Sequence, residues 1–247
     1  VSGPSFSASV NGDMSIDLQF LRAFGDEAPL VTSLWRVGPG RRGVSSAMLG
    51  GGIGAVEWVL NVQVPGDYRR MDPVAHLREV AAGSGLRGRG VGMLTAAAVD
   101  RTVTCADGAV TASATVGLRV PTWAAAPVDA ADPELAPLLR SDRPVPGTVV
   151  PGTVNITVDV PVALTDAALV NAVITVTEAK TQALLEAGYP ATGTASDAVV
   201  VVCDHGGEPE PFAGPRSHWG GALARAVHAA VRHGAQDYSR RLRDGGL

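Results

Sequence analysis

The stretch DAALVNAVITVTEAKTQALLEA, residues 166–187, decides how this chain is read. Apolar side chains fall on nearly every face of the helix it spells, and a helix apolar all round belongs in a core. On either side lie apolar strands, VNITVDV at 154–160 and AVVVVC at 198–203, the second short enough and apolar enough to be central. The TEAKT segment, 177–181, then plants charge inside the buried helix. An unpaired buried ammonium or carboxylate costs several kcal/mol, so Glu178 and Lys180 require partners or a cavity to face. Lys180 is the one lysine in the chain, beside nineteen arginines. Helical spacing puts Asn171, Thr175, Glu178 and Gln182 on one stripe and Thr177, Lys180 and Thr181 on a second. The competing reading is a solvated helix edge.

Working outward, strand character occupies 13–20, 30–37, 44–49 and 56–64. A hairpin covers 101–118, with Asp107-Gly108 as its turn. Asp72-Pro73 opens a helix carrying Val74, Leu77 and Val80 at helical spacing, and a last helix covers 219–231. Residues 121–151 hold seven prolines and little periodicity beyond a helical hint at 134–139, which reads as a long rim loop or lid. Residues 1–12 and 236–247 read as frayed ends. About eight strands and about four helices, with strands dominating the first half, favour an α+β fold in one domain over 1–247. Its sheets would be mixed or largely antiparallel. A layered α/β/β/α sandwich is the alternative.

Composition removes several function classes. A formal charge of −4 argues against a general nucleic-acid binder, which needs a basic face. No window is apolar for long enough to span a membrane, and no signal peptide is visible, so the expected location is cytoplasmic. Cys105 and Cys203 make neither a disulfide framework nor a zinc pattern, and the five histidines give no metal signature. Neither a resident metal nor a cofactor is expected. Scarce lysine with abundant Ala, Gly and Val matches the coding bias of a GC-rich bacterial genome.

Three segments carry chemistry. Gly50 to Gly54 offers backbone N–H groups to an anion, yet lacks the Lys-Ser/Thr of a nucleotide loop; a tight bend between strands is the plainer reading. Ser45-Ser46 just before it suits a nucleophile beside amide donors. Residues 192–197, TGTASD, and 152–155, GTVN, bring hydroxyls and a carboxylate to the mouths of the two strands flanking the helix. His218 precedes the last helix, where a general base could sit, although a lone histidine is more often structural.

Taken together, SSAMLGGGIG (45–54), NVQVPGDY (61–68), GVGMLTAA (90–97), ATVGL (114–118), GTVNITV (152–158), ALTDAALVNAVITVTEAKTQAL (163–184), ATGTASDAVVV (191–201) and the FAG and HWG pieces of 212–220 resemble the adenosylcobinamide amidohydrolase family of corrinoid salvage. The resemblance covers about 43–234. The chain departs from the family pattern at Arg119-Val120-Pro121, and the proline-rich stretch after it reads as an insertion. What the resemblance implies is hydrolysis of the amide joining aminopropanol to a corrin propionate arm, giving adenosylcobyric acid, with the only cobalt arriving in the substrate.

Amide hydrolysis needs a nucleophile, an oxyanion stabiliser and an acid for the leaving amine. In one scheme Ser46, Thr95 or Thr115 attacks, activated by Lys180 or His218. In the other, which is preferred, Glu178 or Asp197 activates water and Lys180 stabilises the oxyanion. A corrinoid partner would meet hydrogen-bonding groups at Ser45, Gly51, Gly52, Asn61, Thr95, Thr115, Asn155, Thr181, Thr192 and Thr194, with Tyr68 and Trp58 as an apolar floor. A non-catalytic corrinoid-delivery protein and a self-processing Thr-nucleophile hydrolase are the rival classes. A homo-oligomer is compatible with any of them.

Overall fold

A computed structural model describes residues 17–23, 30–132 and 152–244, so the expectations for 1–12, for the 133–151 part of the rim loop or lid and for the helical hint at 134–139 lie outside it. The first half of the chain lays down β1 (Asp17–Ala23), β2 (Leu30–Arg36), β3 (Arg41–Ser45), β4 (Gly52–Ala55) and β5 (Trp58–Gln63). Helix α1 (Pro73–Gly83) then leads to β6 (Gly90–Thr95), a short 3-10 turn (Val99–Arg101) and the hairpin β7 (Val103–Asp107) and β8 (Val110–Gly117). After β9 (Pro121–Thr122) come β10 (Thr153–Ala163), α2 (Asp166–Glu186), β11 (Gly193–Thr194), β12 (Ala198–Asp204) and α3 (His218–Arg243).

Two sheets stack. One has the order β1-β2-β5-β6; the other runs β4-β3-β12-β10-β8-β7, with β9 and β11 as a separate short pair. All neighbours are antiparallel except β5/β6 and β10/β12. Each parallel pair needs a crossover, and α1 and α2 supply them. Leu77 and Ala81 of α1 cover the outer face of the first sheet through Leu34, Trp58, Leu60 and Val62. Val200 and Val202 of β12 meet Trp35, Val59, Val91 and Met93 between the sheets. The largest cluster joins α2 and α3 to the outer face of the second sheet, where Val154, Ile156 and Val158 of β10 alternate with inward-facing residues. The architecture is the layered α/β/β/α sandwich, an α+β fold with mixed sheets.

Chemistry at the helix ends explains their limits. Pro73 starts α1 after Asp72, whose carboxylate turns to Arg70 instead of capping. Thr165 Oγ1 accepts from Ala168 N–H at the start of α2, and Ser217 Oγ from Gly220 N–H at the start of α3. Gly108 turns the β7–β8 hairpin at φ +59°.

Several expectations change. Twelve strands and three α-helices are described, instead of about eight and about four. β6 was hidden in the glycine-rich stretch GRGVGMLT, while β4, β9 and β11 are too short for a periodic signal. Helix α2 is not buried all round: Val170, Ile174 and Leu185 are about half exposed at 52%, 50% and 47%. The tail expected to fray from 236 instead continues α3 to Arg243, because Ala235 and Tyr238 are buried and Asp237 is tied to Arg101.

Candidate active site

Five chain segments converge at one end of the sandwich, where β3, β6 and β8 finish and β10 and β12 begin. Ser46, just past β3, exchanges two bonds with Val199 of β12: its N–H donates to Val199 O, and its Oγ accepts from Val199 N–H. Asn155 of β10 donates to Leu94 O of β6 at 3.2 Å. Gly152 packs so closely on Gly117 O, at the end of β8, that a Cβ there would have 2.6 Å.

Lys180 reaches this end from the second half of α2. Its residue is 7% exposed, and its Nζ donates to Asp197 Oδ2 at 2.5 Å. Asp197 is held by the strand mouths: Oδ1 accepts from Val154 N–H (2.8 Å) and Thr194 Oγ1 (2.5 Å), and Oδ2 also accepts from Thr194 N–H (3.1 Å). Both carboxylate oxygens therefore meet two donors each. Gly193 lies under the pair, and a Cβ there would collide with Lys180 Nζ and Asp197 Oδ2. Thr194 Oγ1 also stands 2.8 Å from Gly152 O, so its single proton lies between that carbonyl and the Asp197 carboxylate.

Glu178 goes elsewhere. Two residues along a helix is a rotation of about 200°, which sends it away from Lys180. It is exposed and lines a groove of about 470 Å³ between α2 and α3 with Gln182, Arg216, Arg225 and His228. That groove is distinct from the converging strand mouths. His218 begins α3, exposed, and its ring meets Trp219 edge-on at 4.8 Å. Neither residue is brought to Lys180.

The proposed corrin contacts divide by burial. Asn61, Thr95, Thr115 and Asn155 are interior residues, at most 2% exposed. They bond to one another and to backbone: Asn155 donates to Asn61 Oδ1, Asn61 to Thr115 Oγ1, and Thr95 Oγ1 accepts from Ala97 N–H. All four side chains are covered in this structure. Ser45 Oγ is likewise buried, accepting from Ala47 N–H. Gly50, at φ +74°, packs against Gly90 of β6, which is the tight-bend reading; Gly51 follows it and Gly52 opens β4. Trp58 belongs to the core under α1, its Nε1 donating to Arg87 O, and forms no floor. Tyr68 bonds and stacks on His76 of α1, where desolvation raises its phenol above the usual range.

Thr181 and Thr192 are tied together: Thr181 Oγ1 donates to Thr192 O, and Thr192 Oγ1 accepts from Ala124 N–H. They fasten the start of the proline-rich segment to α2, leaving Trp123 46% exposed beside them. Thr153, Gly193 and Ser196 belong to the hydroxyl-rich segments 152–155 and 192–197, where spacing alone does not say which side chain turns inward.

Among the described residues no cluster of three or more His, Cys, Asp or Glu could hold a metal, and no helix is long and apolar enough to cross a membrane. Burial raises both thiols above their ordinary value.

A family model described as adenosylcobinamide amidohydrolase matches residues 22–243. The chain is similar to a protein of that name from Halobacterium salinarum, 37% identical over 197 residues, which cover 78% of this chain and 80% of the relative. A relative of the same name from Methanosarcina mazei is 30% identical over 200 residues, 77% of this chain and 88% of its own. The chain thus belongs to the adenosylcobinamide amidohydrolase family, hydrolases that act on an amide bond.

Proposed function

We propose that this chain hydrolyses the amide linking aminopropanol to the corrin propionate arm of adenosylcobinamide, with one water consumed and adenosylcobyric acid and aminopropanol released. The product is a substrate for rebuilding the nucleotide loop, which makes the reaction a salvage step. The observation that carries the reading is the buried Lys180 at the converging strand mouths of a chain in this family. Lys180 is the oxyanion stabiliser: it has three N–H donors, and Asp197 is its one hydrogen-bond partner among the described residues. A fixed cation in a water-poor site acts far more strongly on developing charge than one in bulk solvent. Asp197, which accepts from Lys180 and from the N–H groups of Val154 and Thr194, and which shares the Thr194 hydroxyl proton with Gly152 O, holds Lys180 instead of activating water. The reading needs no resident cofactor, because the cobalt belongs to the substrate. Exposed groups at the same end, Ser196 and Trp123 among them, offer the corrin rim a polar contact and an apolar face.

The test is incubation with adenosylcobinamide and quantification of free aminopropanol. Release in proportion to enzyme and time is the expected result. Binding of the corrinoid with no aminopropanol formed would make the chain a carrier and overturn the assignment.

A further inference from the structure

The peptide bond between Gly152 and Thr153 sits in surroundings that a connecting peptide does not require. Thr153 is the first residue of β10 and only 4% exposed. Its Oγ1 lies 2.9 Å from Ser196 Oγ, and Ser196 Oγ in turn donates to Gly152 O at 3.1 Å. Thr194 Oγ1 stands on the same carbonyl at 2.8 Å. A hydroxyl is thus linked, through a second hydroxyl, to the oxygen of the carbonyl immediately before it, and the Lys180–Asp197 pair anchors the next residue through Val154 N–H.

We propose that the chain cleaves itself between Gly152 and Thr153, and that the freed Thr153 is the nucleophile of the amidase. Thr153 Oγ1 attacks the Gly152 carbonyl carbon through a five-membered ring. Its proton passes to Ser196 Oγ as Ser196 gives its own to the Gly152 oxygen, so the tetrahedral intermediate forms without net charge. The C–N bond then breaks, the proton on the intermediate's oxygen moves to the Thr153 nitrogen, and an ester joins Gly152 to Thr153 Oγ1. Water hydrolyses that ester, leaving a Gly152 carboxylic acid and a Thr153 with free hydroxyl and free α-amine. No oxidant, metal or other reactant is needed.

Burial makes the step informative. In the uncut chain Thr153 Oγ1 is covered and cannot meet an external amide; cutting releases the residue in front of it and supplies an α-amine beside the hydroxyl, a known way of activating threonine. Gly152 itself has no room for a side chain between Gly117 O and Thr194 Cγ2. The role of Thr153 as amidase nucleophile rests on the function proposed above, whereas the cleavage does not.

Intact-mass spectrometry and amino-terminal sequencing of the purified full chain test the proposal. The expected result is a second amino terminus at Thr153, absent in Thr153→Ala, present in Thr153→Ser, and slowed about a hundredfold in Ser196→Ala, the usual loss when one oxyanion donor is removed. Thermal melts of all three variants separate loss of chemistry from loss of fold, and Thr153→Ser keeps the test alive if Thr153→Ala does not fold. A cleaved chain that releases no aminopropanol supports self-cleavage while counting against the substrate. A wild-type chain that stays whole on prolonged incubation yet turns over adenosylcobinamide overturns the proposal and leaves the amidase reading standing.

Discussion

The fold contains the same device twice, and the two copies are used differently. β5–α1–β6 and β10–α2–β12 are both parallel strand pairs bridged by a helix on the outer face of a sheet. In the first, the buried residues of the helix are Leu77 and Ala81, and nothing ionic enters. In the second, the buried face of the helix includes Lys180, locked to a carboxylate at the mouth of the returning strand. The first unit shows that the architecture needs only an apolar helix face. The second unit thus carries a buried ammonium that the first does without. A buried ion pair is seldom more stable than a well-packed apolar one of the same volume, so a chemical role is the better account of it.

Breaking each unit at its own key residue should give opposite signatures. Asp197→Ala removes the partner of a buried ammonium and also strands the N–H groups of Val154 and Thr194. A loss of about 3–5 kcal/mol in urea unfolding is expected, together with loss of turnover. Leu77→Ala should cost about 2–4 kcal/mol through the cavity it opens under α1, with kcat per folded molecule unchanged. If Leu77→Ala also lowered kcat a hundredfold, the first unit could not be called purely structural.

The tie between the two halves is weaker. Asp237 of α3 accepts from Arg101, in the turn after β6, at 2.9 Å, and Arg101 holds the Asp237 carboxyl below the usual carboxylate range. A depressed acid favours the folded state above its ordinary pKa near about 4, and that contribution disappears as pH falls through the folded-state value. Asp237→Asn should therefore cost about 1–2 kcal/mol at pH 7, moderated because Arg101 is half exposed, and should flatten the acid side of the stability profile. Equal losses at pH 7 and pH 2 would show that the charge is not the cause. Smallest of all, Glu178→Gln should leave kcat within about twofold, since Glu178 faces the α2–α3 groove. A large loss there would move the site to that groove.

Much of this was legible in the sequence, for identifiable reasons. β12 reads directly as a central strand, because five consecutive buried residues need no periodicity to be seen. The α1 start, the β7–β8 turn and α2 follow from Asp-Pro, Asp-Gly and apolar spacing. β6 is masked by its glycines: Trp58 packs where the Cβ of Gly90 would be, and Leu49 and Leu77 crowd that of Gly92. At the site, Lys180 and Asp197 could each be nominated from charge in apolar surroundings, but not paired, since 17 residues and a turn separate them. Glu178 drew equal notice because helical spacing fixes relative angles without saying which angle faces the sheet. Asn61 and Asn155 read as ligand contacts from their polarity alone; only burial shows them bonded to each other.

The claim that α2 carries a catalytic cation is tested most directly by kcat for Lys180→Met, with folding checked by thermal melt. The account predicts a fall of at least about a hundredfold with the melt still cooperative. Turnover within a few-fold of wild type in a folded Lys180→Met protein would contradict it.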